Sequence, residues 1–173
     1  AAFGLIDIAV GNAGGLLKRS KVAECSLALW NEALAVNLTS AFLLARAVVP
    51  QMADAKSGAI VLMSSLAAHD GGGAGASHYA ASKGGVMTFV RALAKEVGPD
   101  GVRVNGVAPG LIGTQFHDRF STPEGRRATV ERTPMRREGT PADVASAVLY
   151  LASPAAGFIA GEIIEINGGL GAF

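Results

Sequence analysis

Ala59-Ile60-Val61-Leu62-Met63-Ser64-Ser65 is the stretch on which the fold turns. Its first five residues are continuously apolar and are bounded by Gly58 and Ser64, the pattern of a strand covered on both faces. A glycine-rich loop follows, Asp70-Gly71-Gly72-Gly73-Ala74-Gly75, and the spacing then becomes helical from about Ser77 to Val97. Gly98-Pro99-Asp100-Gly101 stops that helix, and Val102 to Ala108 reads as the next strand.

The same alternation extends in both directions. Upstream, Ile6 to Val10 is a short β-rich run ending in Gly11-Asn12-Ala13-Gly14. Apolar residues at Leu27, Trp30, Leu34, Leu38, Phe42, Ala45 and Val49 then mark a helix from about Ser26 to Met52. Ser26 is its expected N-cap, and Pro50 and Gly58 are expected to end it. Downstream, a polar, basic stretch from Gln115 to Gly139 precedes a helix over Pro141 to Ala152 with Thr140 as N-cap. Ile163 to Ile166 is a fourth strand. Strand alternating with helix implies an α/β fold with a doubly wound parallel sheet, in a single domain over residues 1–173.

Composition fits that reading and excludes others. Half of the 173 residues are hydrophobic and only 17% are charged, as expected of strands buried on both faces or of large subunit interfaces. A net charge of +1 gives no case for nucleic acid or acidic lipid as a partner. The lone Cys25 cannot form an intrachain disulfide, which favours a reducing compartment. No unbroken run of 18 apolar residues is present, so a cytoplasmic protein with no membrane span is expected.

Chemistry concentrates at the strand ends. Residues four apart share a helix face, so the Lys83 ammonium can lie near the Tyr79 hydroxyl. A phenol ordinarily titrates near 10, and a fixed positive charge beside it favours the phenolate. Tyr79 is therefore a candidate general acid/base. Ser64-Ser65, Asn12-Ala13-Gly14 and Pro109-Gly110 stand at the carboxyl ends of three strands, where doubly wound sheets bind ligands. Singly, each reads equally as ordinary turn chemistry, and Tyr79 with Lys83 as a packed ring beside a solvated amine. Their convergence is what points to a site. Asn37, inside an apolar helix face, needs partners if buried. Arg119, Arg126, Arg127, Arg132, Arg136 and Arg137 suit a carboxylate or phosphate, and equally a solvated helix face. His69, His78 and His117 lack ligand spacing, and no metal site is expected.

With Asn12-Ala13-Gly14 upstream and Pro109-Gly110-Leu111-Ile112-Gly113-Thr114 downstream of the serine, tyrosine and lysine, the chain resembles the short-chain dehydrogenase/reductase family. Within it, the likeness is to 3-oxoacyl-carrier-protein reductases and to sugar or polyol dehydrogenases. The resemblance implies a Rossmann-type sheet, NAD or NADP as cofactor, and hydride transfer between nicotinamide and a small-molecule carbonyl or secondary alcohol. It implies that Tyr79 moves the proton, Ser65 bonds the reacting oxygen, Lys83 lowers the tyrosine's pKa and holds the nicotinamide ribose, and Asn37 supports a proton relay. Ser64 competes with Ser65; the family uses the second serine of such a pair, although the gap to Tyr79 is one residue longer than its commonest pattern. Cofactor contacts are implied for Asn12, Ala13, Gly14, Tyr79, Lys83, Pro109, Gly110, Ile112 and Thr114, with Ile112 and Thr114 at the carboxamide.

The same resemblance places a substrate lid at Gln115 to Glu138 and a homotetramer interface on helices 26–52 and 77–97. Gly11 departs from the family, which has asparagine there, and a looser turn is expected. Ala1 to Asp7 resembles the run into the family's fourth strand, so the likeness covers only the C-terminal two-thirds of the family pattern. The family's glycine-rich pyrophosphate turn and first strands have no counterpart within residues 1–173. The expectation is that strand Ile6 to Val10 forms an apolar edge and that the working protein carries further N-terminal residues. A second reading is a truncated, inactive family member serving as an assembly subunit or left as a proteolysed remnant.

Overall fold

A computed structural model of the protein describes residues 4–173. The part of the Ala1 to Asp7 run before Gly4 lies outside the described residues. Four parallel strands form one sheet in the order β1 (Ile8–Gly11), β2 (Gly58–Met63), β3 (Val102–Pro109) and β4 (Ile163–Ile166). The β2–β3 register pairs Gly58 with Val102 and Met63 with Val107, so both strands end at the same edge.

Alternation along β2 builds two cores. Ile60 and Leu62 point to one face, where they pack with Ala41, Ala45, Val48, Met52, Val86 and Val90. Val61 points to the other face, with Val107, Ile112, Val144 and Leu151. The first face is covered by α2 (Ser40–Asp54) and, after the one-turn α3 (Ala67–Asp70), by α4 (Ser77–Val97), and the second by α7 (Pro141–Ala152). Both helix layers follow from strands apolar on both sides. β1 lies at one end of the sheet and leaves Ile8 and Val10 exposed.

Several ends fall where the sequence puts them. The Ser26 side chain accepts from the Leu29 amide at the start of α1 (Leu27–Leu34), and Thr140 and Asp143 form a reciprocal capping box on α7. The Arg103 guanidinium donates to the carbonyls of Leu151, Ala152, Ser153 and Ala156, satisfying the carbonyl end of α7 with a cation.

Three features differ from the sequence reading. The helix expected over Ser26 to Met52 is α1 and α2 joined by a π-helical turn over Ala35–Thr39. Pro50 does not end it but sits inside α2, which runs on to Asp54. The polar stretch after β3 contains two short helices, α5 (Gln115–Phe120) and α6 (Pro123–Arg132). Hydropathy alone would also let Leu27–Asp54 cross a membrane: it is 28 residues long and contains an 18-residue window of mean hydropathy 1.6. Instead its inner residues Ala33, Ala41, Ala45, Val48 and Met52 are buried against the rest of the domain.

Candidate functional site

The carboxyl ends of β1, β2 and β3 open onto the start of α4, and this is where the polar residues meet. Lys83 is 4% exposed, on the inner face of α4 one turn beyond Tyr79. Its Nζ donates to the Met63 carbonyl at 2.8 Å and stands 5.9 Å from the centre of the Tyr79 ring. Burial lowers the Lys83 pKa to about 8.

Tyr79 departs from the sequence expectation. Its pKa is pushed up, because burial of the phenol outweighs the opposing pull of the Ser65 side chain. The lysine does not reverse this: it spends a hydrogen bond on Met63, and its own charge is disfavoured by burial.

The two serines separate by geometry. Ser64 is buried and donates to the Lys83 carbonyl at 2.9 Å, tying the end of β2 to α4. Ser65 is partly exposed; its side chain accepts from the Ala67 amide at 3.2 Å and is the one that acts on Tyr79.

Asn37 is 1% exposed and lies in the π-helical turn. Its Oδ1 accepts from the Gly15 amide, and its Nδ2 donates to the carbonyls of Gly15 and Ala33, each at 2.9 Å. The side chain thus holds the loop after β1 through a two-way bond to Gly15. Gly14 fits beneath this pair only because it lacks a side chain. A Cβ there would stand 2.6 Å from Asn37 Oδ1 and 2.9 Å from Lys83 Nζ. The vacancy at Gly11 left by the missing asparagine is closed: a Cβ would meet Leu62 Cδ2 at 2.7 Å and Leu44 Cδ2 at 3.3 Å.

Asn12, Ala13 and Gly14 are exposed at the end of β1, and Pro109 and Gly110 are partly exposed at the end of β3. The Ile112 side chain is buried in the α7-side core, and Ile112 pairs with Gly139 in an isolated parallel bridge. Thr114 donates from its hydroxyl to the Ile112 carbonyl at 3.4 Å.

Two further residues lie near the tyrosine: Phe116, which the sequence does not mark, and His78, which it suggests is a surface histidine and which is instead buried. Phe116, on α5, stands 5.8 Å from Tyr79 between ring centres and also meets Phe120 at 5.1 Å. His78, beside Tyr79, is buried and bonds the Leu16 carbonyl through Nε2 at 3.1 Å. An isolated aromatic in a polar stretch says nothing of where its ring will point. Three arginines of this stretch are paired with acids. Arg126 bonds Glu138 through two nitrogens and Asp118 through a third, Arg127 bonds Glu124, and Arg137 bonds Asp143.

Comparison with known proteins places this arrangement. Residues 1–171 match the family model described as enoyl-(acyl carrier protein) reductase. A 3-oxoacyl-[acyl-carrier-protein] reductase from Vibrio cholerae is 42% identical over 172 residues, covering 97% of this chain and 68% of the relative. The structure of a 3-oxoacyl-[acyl-carrier protein] reductase from Brucella melitensis, with bound NAD, superposes with a TM-score of 0.87 at 39% identity, covering 94% of this chain and 61% of that one. A glucose/ribitol dehydrogenase of the short-chain type from Brucella melitensis gives a TM-score of 0.89 at 37% identity, over 99% of this chain and 67% of that one. The chain belongs to the short-chain dehydrogenase/reductase family, whose members named here are oxidoreductases. It spans about two thirds of the length of these relatives.

Proposed function

We propose that this chain supplies the catalytic part of an NAD- or NADP-dependent oxidoreductase that interconverts a carbonyl and a secondary alcohol. The observation that carries the reading is the meeting of Gly14, Asn37 Oδ1 and Lys83 Nζ in a cradle that a single methyl group would fill, beside Tyr79 and Ser65. The fit to a dinucleotide's nicotinamide end is good: a buried ammonium, backbone from three strand ends, and no side chain at Gly14 to obstruct approach. Asn12, Ala13, Gly14, Tyr79, Lys83, Pro109, Gly110, Ile112 and Thr114 would hold it, Ile112 through its backbone. When bound, the nicotinamide supplies or accepts the hydride.

The protein's own groups handle the proton. A Tyr79 phenol with a raised pKa keeps its proton at neutral pH, which suits it to protonate the oxygen of a carbonyl being reduced. Ser65 donates a hydrogen bond to the same oxygen and steadies its developing negative charge. Lys83, charged below about pH 8, favours the phenolate that remains. Asn37 keeps the loop after β1 in place, and the relay assigned to it runs beside a side chain already bonded to Gly15 and Ala33. Ser64 is structural.

The relatives support a substrate of the 3-oxoacyl thioester or sugar and polyol class. Exposed Leu27, Trp30, Phe42 and Leu43 support an assembly through α1 and α2; the reading takes it as a homotetramer that also uses α4, in a cytoplasmic enzyme. The test is turnover of NADH and NADPH by the full-length protein with an acetoacetyl thioester and with gluconate. Tyr79→Phe is expected to lower kcat at least a thousandfold with the fold and assembly unchanged. Unchanged turnover in that variant overturns the mechanism.

A further inference from the structure

The glycine-rich loop between β2 and α4 has no part in the chemistry above, and its contacts explain its composition. Arg19, in the loop after β1, donates from Nη1 to the Ala74 carbonyl at 2.9 Å and from Nε to the Phe120 carbonyl at 3.1 Å. One side chain thereby joins three segments far apart in sequence: the loop after β1, the glycine-rich loop, and the last residue of α5. The Ser20 amide adds a bond to the Gly75 carbonyl at 3.0 Å. A Cβ at Gly73 would stand 3.2 Å from Arg19 Nη1, and one at Gly75 would stand 3.3 Å from Arg19 Cβ and 3.0 Å from the Ser20 nitrogen. These glycines let the arginine lie close against the loop.

The Phe120 carbonyl ends a helix, where backbone acceptors lack intrahelical donors and a positive charge is favoured. The helix it ends places Phe116 against Tyr79. α5 has no fully buried residue, so polar ties of this kind add to the packing of Phe116 in holding it in place. The Arg126 cluster holds α5, α6 and Glu138 to one another, whereas Arg19 holds α5 to the loops that carry the site.

We propose that Arg19 is a positioning residue: its fork across the Ala74 and Phe120 carbonyls latches α5, with Phe116, over Tyr79 and so sets how tightly a carbonyl substrate is held. This rests on the oxidoreductase reading for its kinetic consequence, but not for its structural one. A planar guanidinium serves both carbonyls at once, which a lysine ammonium on a single stem does less well.

Hydrogen exchange of the full-length protein, without any ligand, tests the latch directly. Arg19→Met is expected to speed exchange of amides 116–121 and 71–75 about tenfold. Amides of β2 and β3 should be unaffected, as should all amides in Lys18→Met, which removes a neighbouring cation. Arg19→Lys should fall between wild type and Arg19→Met. Unchanged exchange at 116–121 in Arg19→Met overturns the proposal, and so does full protection in Arg19→Lys, since charge alone would then suffice. With an acetoacetyl thioester as substrate, Arg19→Met should raise its KM about tenfold with kcat within about twofold and the nucleotide KM unchanged. A fall confined to kcat overturns the positioning role. Absence of turnover in the wild type would count against the oxidoreductase reading and leave the exchange result to decide the latch.

Discussion

The segment from Ser64 to Lys83 and the segment from Gln115 to Glu138 meet where Phe116 packs on Tyr79, but they are held by different forces. The first is anchored by burial: Lys83 and Ser64 are each under 5% exposed, with partners at the carbonyls of Met63 and Lys83. Helices α5 and α6 have no fully buried residue and are joined by partly exposed ion pairs and by Arg19. Burial leaves a site group one position, because an unpaired polar atom there is costly. Surface pairs contribute little and exchange readily with water. On the proposed reading, the chemistry sits on the rigid wall of the site, and the adjustable wall, the lid, faces the substrate.

The comparison breaks most severely at the rigid wall. Gly14→Ala should abolish nucleotide binding and lower kcat/KM by more than about a hundredfold, because its Cβ would overlap Asn37 Oδ1 and Lys83 Nζ. Titration of NADH by fluorescence and the thermal midpoint together check this; normal binding would show that the cradle is not the nucleotide's. Next in size is the core beneath it. Leu62→Ala, at a fully buried position between α2 and α4, should cost about 2–5 kcal/mol in urea unfolding. Arg126→Met should leave that midpoint unchanged while raising the KM of a carbonyl substrate. Equal loss of stability in the two variants would erase the distinction between wall and lid.

A pH profile sharpens it further. Lys83 loses its charge as pH rises through about 8, so kcat/KM should fall above that value, with no such limb from Tyr79, whose pKa is raised. Lys83→Arg, if it retains activity, should move the limb upward, because a guanidinium stays charged. The stability sign is opposite. The folded pKa lies below the unfolded 10.5, so the cost of burying the charge is present below about pH 8 and is relieved between those values. The smallest effect expected is that of Ser64→Ala, about 1 kcal/mol from the lost bond to the Lys83 carbonyl, with kcat nearly intact. Ser65→Ala should do the reverse, and steady-state kinetics beside urea melts separates them.

Sequence by itself determined the layered fold, because a strand apolar on both faces requires a helix layer on each. It marked the end of α4, since Pro99 and Gly101 stop the α-helix, which tightens into a 3-10 turn over Gly98–Asp100, and it placed Tyr79, Lys83 and the strand-end glycines at one edge. Only the tertiary structure decided the π-helical turn that aims Asn37 at Gly15, because that turn depends on where the loop after β1 lies. It also set the direction of the Tyr79 shift, which depends on how much water the surrounding elements exclude. The separation of Ser64 from Ser65, and the partners of Arg19 and of the lid arginines, are likewise tertiary. A polar side chain's role is fixed by which carbonyl or carboxylate the fold brings within 3 Å of it, and no periodicity in the chain encodes that.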